Sequence, residues 1–320
     1  MGTALTTTQG TAGQVARLGE QARQYVEGAK APNTLRAYRS DWAHFTAWCE
    51  GQGVPSLPAA PETVAGYLAA HAEVLSVGTL QRRIAALAQL HQAAGEQDPT
   101  KAAAVKLTWQ GIRRAKGTAP KGKAPVVTDE LRRMVDALPA GLVGARDRAL
   151  LLVGFAGAFR RSELVGLDRA DVAITLEGLV VTLRRSKTDQ EGEGTKKGIP
   201  YGSHPQTCPV RALQAWLSQS KITAGPLFRG VNRHGQIGAG RLSSYAVALV
   251  VKRAATAAGL DAAKYAGHSL RAGLATSAAM AGASERAIMK QTGHKSERMV
   301  RRYIRDGSLF RENAAAVVGL

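Results

Sequence analysis

The chain has 320 residues, 43 of them lysine or arginine against 24 acids, for a formal charge of +19 at neutral pH. So positive a field attracts polyanions, which makes nucleic acid or an anionic membrane face the first partner to consider. With 45% hydrophobic residues the length is ample for one large core or two ordinary ones, so wholesale disorder is excluded. Two cysteines, Cys49 and Cys208, provide neither a disulfide framework nor a cysteine-based zinc site, and they fit a reducing compartment. No apolar run approaches the ~18 residues of a membrane helix. The best, Ala149 to Phe159, holds two glycines and ends in Arg160-Arg161. The N-terminus has no cationic start followed by an apolar block, so no secretory signal is expected.

Residues 1–15 are Thr, Gly, Gln and Ala without periodicity and read as a mobile tail. From Asn33, taken as an N-cap, apolar residues recur at Leu35, Tyr38, Trp42, Phe45 and Trp48 until Gly51, which predicts one amphipathic helix. Pro61-Glu62 opens a second helix through Val64 and Leu68. A third runs from Thr79 with Leu80, Ile84, Leu87 and Leu90 inward and Arg82-Arg83 outward, and a fourth carries Val105, Trp109 and Ile112. Residues 16–115 are thus expected to form a helical domain, and residues 116–125, rich in Lys, Gly and Pro, a linker. Up to residue 125 there are 14 basic against 8 acidic residues, and beyond it 29 against 16, so both parts are expected to touch one polyanion.

Residues 126–320 restart at Thr128-Asp129-Glu130, a cap with acids in the first turn. Helices are predicted over 129–138, 146–156 and 160–167. Strands are predicted at 172–175, 179–184 and 199–201, and helices again over 209–219, 243–258, 269–281, 284–291 and 296–305. The fold class is therefore mainly α with one small antiparallel sheet.

Several chemistries drop out at this point. There is no phosphate-binding Gly-x-x-x-x-Gly-Lys-Ser/Thr loop, no Gly-x-Gly-x-x-Gly after a strand and no His-Glu-x-x-His. Scattered carboxylates do not suit a two-metal nuclease. What stands out instead is a set of cationic stretches ending in a tyrosine. They are Gly157-Ala-Phe-Arg160-Arg-Ser-Glu163, Arg185-Ser-Lys187-Thr, Gly267-His268-Ser-Leu-Arg271, Gly293-His294 and Arg302-Tyr303-Ile-Arg305.

In residue type and order these stretches resemble the tyrosine recombinases, the phage integrase family, as does the nine-residue step from His294 to Tyr303. Tyr303-Ile304-Arg305, the helix ending in Trp48-Cys49, the run from Pro61 to Leu68 and Ile112-Arg113-Arg114 are similar to the Cre-like branch, and the likeness spans roughly residues 30–320.

The resemblance implies a site-specific recombinase that cuts and rejoins duplex DNA through a 3′-phosphotyrosine and a Holliday junction, with no cofactor and no metal. In it Tyr303 is the nucleophile, and Arg160 and Arg271 hold the phosphate with the planar forks that suit its oxygens. His268 and His294 donate or move protons, Lys187 protonates the leaving 5′ oxygen, and Glu163 orients a neighbouring cation. Lys196 and Lys197, across the same loop as Lys187, remain rivals for the acid.

The expected partners are duplex DNA with a specific, inverted-repeat target site and three further copies of the chain, a homotetramer on two DNA sites, with no membrane and a cytoplasmic setting in a prokaryote. The expected architecture is a C-shaped clamp. In it Arg36, Arg39, Arg82, Arg83, Arg113 and Arg114 of the helical domain and Arg241 of the catalytic domain meet DNA, and the tail 308–320 docks on a neighbouring protomer. Two rivals are weighed. Ala278, Gly282 and Ile288 have helix-turn-helix spacing, which would make the chain a regulator. Type IB topoisomerases use a similar Arg, Lys, His and Tyr set to relax supercoils.

Overall fold

The computed structural model describes residues 31–118, 122–184 and 194–294, together with Ser296, Glu297, Val300, Arg301 and Tyr303. It divides into two compact units, Met1–Lys121 and Gly122–Leu320. The tail 1–15, the start of the helical domain through residue 30, Lys187, Arg302, Arg305 and the tail 308–320 lie outside the described residues.

In the first unit four helices, α1 (Pro32–Gln52), α2 (Pro61–His71), α3 (Val77–Ala93) and α4 (Ala103–Lys116), enclose Phe45, Tyr67, Leu68, Leu80 and Leu87. Helix α1 starts ahead of the expected cap: Ala31 occupies the cap position and Pro32 the first turn, where its missing N–H removes no hydrogen bond. Asn33 instead accepts from Arg36. Gly53 ends α1 in the left-handed region at φ 67°, which lets Val54 N–H reach back to Cys49 O at 3.0 Å. At the start of α3 the Ser76 hydroxyl accepts from Thr79 N–H at 3.1 Å.

One expectation here is corrected. Arg83 is buried, not outward: it lies three residues after Leu80 and four before Leu87, on the very stripe that faces the core. Its guanidinium donates to the Tyr67 hydroxyl at 2.5 Å and meets the His44 ring at 3.0 Å and the buried Asp41 carboxylate at 3.6 Å. Asp41 also takes a two-pronged pair from Arg82, at 2.7 and 2.9 Å.

The second unit is built on α5 (Thr128–Asp136), α6 (Gly141–Ala156) and α7 (Arg161–Gly166), then a sheet of β1 (Val172–Ile174), β2 (Gly178–Leu183) and β3 (Thr195–Pro200) in the order β1-β2-β3, all antiparallel. After it come α8 (Pro209–Ser220), β4 (Arg229–Val231), β5 (Ile237–Arg241), α9 (Ser244–Ala257), α10 (Ser269–Met280) and α11 (Glu285–Thr292). The apolar run Ala149–Val153 of α6 is fully inside, packed with Leu164, Val181, Ile199, Trp216 and Phe228. Among the described residues no helix is long and apolar enough to cross a membrane.

Three local expectations change. Val127, not Thr128, holds the cap position of α5, and Glu130 reaches back to accept from the Val127 N–H at 3.0 Å. Strand β3 begins at Thr195 rather than 199, so Lys196 and Lys197 are strand residues paired with Thr182 and Val181. The β4–β5 hairpin is a second sheet that the sequence reading lacks. Its strands are short, largely exposed and glycine-rich, with little of the β-branched alternation that marks a strand.

Candidate active site

Four pieces of the second unit converge on one place. The first is the turn between α6 and α7. Ala158 there has φ 47°, a left-handed conformation that costs a non-glycine residue about 1 kcal/mol or more and is held by its surroundings. The turn aims the Ala158 carbonyl at Arg271, whose Nη1 donates to it at 2.7 Å. Two residues on, Arg160 caps α7. The buried Glu163 carboxylate accepts from the Arg160 N–H at 2.9 Å through one oxygen and pairs with its guanidinium through the other. The sequence reading placed Glu163 beside a cation, and the cation is Arg160.

The second piece is the first turn of α10. Gly273 lets this helix approach the segment before α5: a Cβ there would lie 1.8 Å from Val126 O, and Val126 N–H in turn donates to Ser269 O at 2.9 Å. Arg271 on this turn is 1% exposed, and among the described residues its Nε and Nη2 have no hydrogen-bond partner. Burial, then the nearby Arg160 charge, pull its pKa down to about 10. A buried guanidinium with two nitrogens unanswered is a demanding feature, because each unmet buried donor costs about 1–3 kcal/mol. A phosphate oxygen pair is what those groups match. His268, just ahead of the helix, makes no capping hydrogen bond with its side chain and instead brings Nε2 to 3.2 Å from the Tyr303 hydroxyl.

The third piece is the end of α11 and the helical residues beyond it. Gly293 closes α11 at φ 66° and sets His294 against Tyr303, ring centroids 5.9 Å apart and nearly parallel. Burial pushes the His294 pKa down to about 4, helped by Arg271, Arg160, His268 and Lys197. Tyr303 and Val300 pack on Ala275, Ala279 and Ile288. The small-residue, glycine and isoleucine spacing of α10–α11 therefore serves here to seat the tyrosine-bearing segment.

The fourth piece is Lys197 on β3. Its ammonium is buried, donates to Gly157 O at 2.9 Å and Gln291 O at 2.6 Å, and lies 5.1 Å from the Phe159 ring centre. Burial lowers its pKa to about 8, against the pull of Glu163. Lys197 thus ties the Arg160 turn to the end of α11. Lys196 is exposed.

So the structure gathers Arg160, Glu163, His268, Arg271, His294 and Tyr303, brings in Lys197, a rival to Lys187 in the sequence, and adds Ala158 and Thr292, to which the sequence assigns no part in the site. Away from it, Arg36, Arg39, Arg113 and Arg114 are exposed, while Arg241 donates to Val165 O, Leu167 O and Asp168. Among the described residues no group of three or more His, Cys, Asp or Glu is placed to hold a metal ion.

Residues 126–308 match the Phage integrase family, and residues 23–98 match the Phage integrase, N-terminal SAM-like domain. An integrase/recombinase xerD homolog of Selenomonas ruminantium is 43% identical over 302 residues, covering 93% of this chain and 89% of the relative. The Recombinase cre of Escherichia phage P1 is 26% identical over 299 residues, covering 87% and 85%. A lambda integrase tetramer bound to a Holliday junction has the same fold, with a TM-score of 0.60 at 18% identity over 94% of this chain and 79% of that one. This chain belongs to the phage integrase family, the tyrosine recombinases, and is a site-specific DNA recombinase.

Proposed function

We propose that Tyr303 is the nucleophile and that the other gathered side chains serve one scissile phosphodiester. Arg271, through Nε and Nη2, and Arg160, held by Glu163, take the non-bridging oxygens where negative charge grows in the transition state. The phenol gives its proton to His268 Nε2 as its oxygen bonds to phosphorus. The bond to the 5′ oxygen breaks, and Lys187 supplies the proton that oxygen needs. A 3′-phosphotyrosyl ester results, which a 5′ hydroxyl from the partner duplex attacks in reverse. The observation that carries this reading is the pairing of Tyr303 with His268 beside the buried, half-satisfied Arg271.

In the same reading, Arg36, Arg39, Arg113 and Arg114 meet phosphates along an inverted-repeat site, with salt-dependent affinity. The enzyme acts as four copies on two sites, each tail 308–320 docked on a neighbour, in the prokaryotic cytosol. Exchange, rather than supercoil relaxation alone, is favoured by the match to relatives named recombinases along most of the chain.

The test is incubation with nicked suicide DNA, a denaturing gel and peptide mapping. Tyr303→Phe is expected to bind DNA as the wild type does and form no adduct. An adduct mapped to another residue overturns the assignment, and covalent chemistry without exchange between two sites favours the relaxation reading.

A further inference from the structure

The steps proposed above leave the contact between His294 and Thr292 without an assigned part. Its Nδ1 lies 2.8 Å from the hydroxyl oxygen of Thr292, which is itself buried at 1% exposure. That hydroxyl oxygen is 2.7 Å from Ile288 O and 3.4 Å from Met289 O, both carbonyls in the last turns of α11. A carbonyl brings no hydrogen, so the 2.7 Å contact requires the single hydroxyl hydrogen of Thr292 to point at Ile288. The oxygen is then left as an acceptor, and the 2.8 Å contact to His294 requires a hydrogen on Nδ1. The carbonyl end of a helix dipole further favours this direction. The neutral ring therefore carries its lone pair on Nε2.

We propose that Thr292 is a positioning residue that fixes His294 in the Nδ1–H form, so that His294 becomes a donor to the scissile phosphate only by taking up a proton at Nε2 as DNA binds. This rests on the reading of Tyr303, Arg160 and Arg271 as one phosphate site.

The surroundings fit such binding-linked uptake. Among the described residues the charged and titratable groups acting on the ring are Arg271, Arg160, His268 and Lys197, all of which disfavour a charge on it, and the Tyr303 ring stacks on it. An entering phosphate anion reverses that balance by neutralising the arginines nearest the ring. A side chain that is neutral without DNA and charged with it makes DNA capture pH-dependent, and it keeps one more cation out of an already crowded site until the anion is there.

Two measurements test this with the full chain. The first uses 15N-histidine spectra without DNA near pH 7, with His294→Gln to assign the signal, since protonated and bare ring nitrogens resonate far apart. The wild type and Thr292→Ser are expected to show Nδ1 protonated and Nε2 bare, and Thr292→Val to lose that preference. A wild-type ring protonated at Nε2, or a valine variant with an unchanged tautomer, overturns the proposal.

The second is the rate of suicide-substrate cleavage against pH. The wild type and Thr292→Ser are expected to lose about tenfold per pH unit above the apparent pKa of His294 in the complex. Thr292→Val, slower at low pH, is expected to show little dependence there, because a ring freed from Thr292 can donate from Nε2 while neutral. A merely structural threonine would lower the rate equally at every pH, and that result also overturns the proposal. Because the spectra need no DNA, a failed tautomer assignment is separable from a failed nucleophile assignment, which shows only as a missing Tyr303 adduct.

Discussion

Lys197 offers a stability measurement with a defined sign. Burial lowers its pKa from 10.5 to about 8 in the folded chain. The unfolded chain therefore still holds the proton between pH 8 and 10.5, where the folded chain has shed it. Unfolding takes up a proton across that window, so stability rises with pH through it. Below pH 8 both states are charged and the folded state bears the burial penalty in full, about 3 kcal/mol for this shift at 1.36 kcal/mol per unit. Between pH 7.5 and pH 10 the integrated gain is about 2 kcal/mol. The comparison is with Lys197→Met, which fills the space and does not titrate. Urea denaturation of both proteins at several pH values gives the difference in unfolding free energy of the second unit, with the transition of the first unit as an internal reference. Titrations common to both, such as Tyr67 and Tyr265, whose burial raises each pKa to about 12, cancel in that difference. The wild type should gain about 2 kcal/mol on the variant over that interval. Parallel curves would mean that the ammonium is not sealed between Gly157, Gln291 and Phe159, and the strap between β3, the Arg160 turn and α11 would fall with it.

Glu163→Gln leaves Arg160, Arg271 and Lys197 without their shared buried anion, and should cost about 3 kcal/mol, read as a clearly lowered Tm. An unchanged Tm would mean that the pair contributes nothing to the folded state. Arg271→Lys keeps the charge but loses the fork, so adduct formation is expected to drop about 10²–10³-fold while DNA affinity moves only a few-fold. A loss confined to affinity would place Arg271 in binding rather than in the transition state. Arg83→Met should destabilise the first unit yet leave the slope of log affinity against log salt as it is, whereas Arg113→Ala should make that slope shallower by about one. A shallower slope for Arg83→Met would put that buried guanidinium on a phosphate after all.

The helical part of the fold is legible because its signals are local. Pro61 opens a helix, the apolar stripes of α1 and α3 and the apolar run of α6 survive in the core, and α1 overruns the expected stop at Gly51 only as far as Gln52, where Gly53 closes it. The site residues stand out because a phosphate chemistry needs arginine forks, imidazoles and a phenol, and few other uses gather them in that order. Failures have equally local causes. Two adjacent arginines look like one exposed pair, yet the step from Leu80 to Leu87 runs through position 83 and takes Arg83 inside. Lys197 shares a face of β3 with Ile199 at the strand period of two, so its inward direction follows once the strand is known to start at Thr195. What sequence does not carry is the tertiary closure: which carbonyls lie opposite that ammonium, or that Ala158 bends into the left-handed region to meet Arg271.

These closures share a logic. Arg160, Arg271 and Lys197 are drawn to one locality, and among the described residues Glu163 is the one carboxylate acting on Arg271 and Lys197 there, so the described part of the site holds more positive charge than it neutralises. The excess is not evenly distributed. Lys197 is satisfied by carbonyls, Arg160 by Glu163, and the deficit falls on Nε and Nη2 of Arg271 and on the suppressed charge of His294. The scaffold answers Lys197 and Arg160 with carbonyls and a shared carboxylate, and among the described residues leaves Nε and Nη2 of Arg271 unanswered. On the proposed assignment, a bound phosphodiester relieves an existing cost instead of competing with an internal ion pair. Such a site binds its anion through electrostatics organised before the substrate arrives, the condition under which fixed donors stabilise a transition state most.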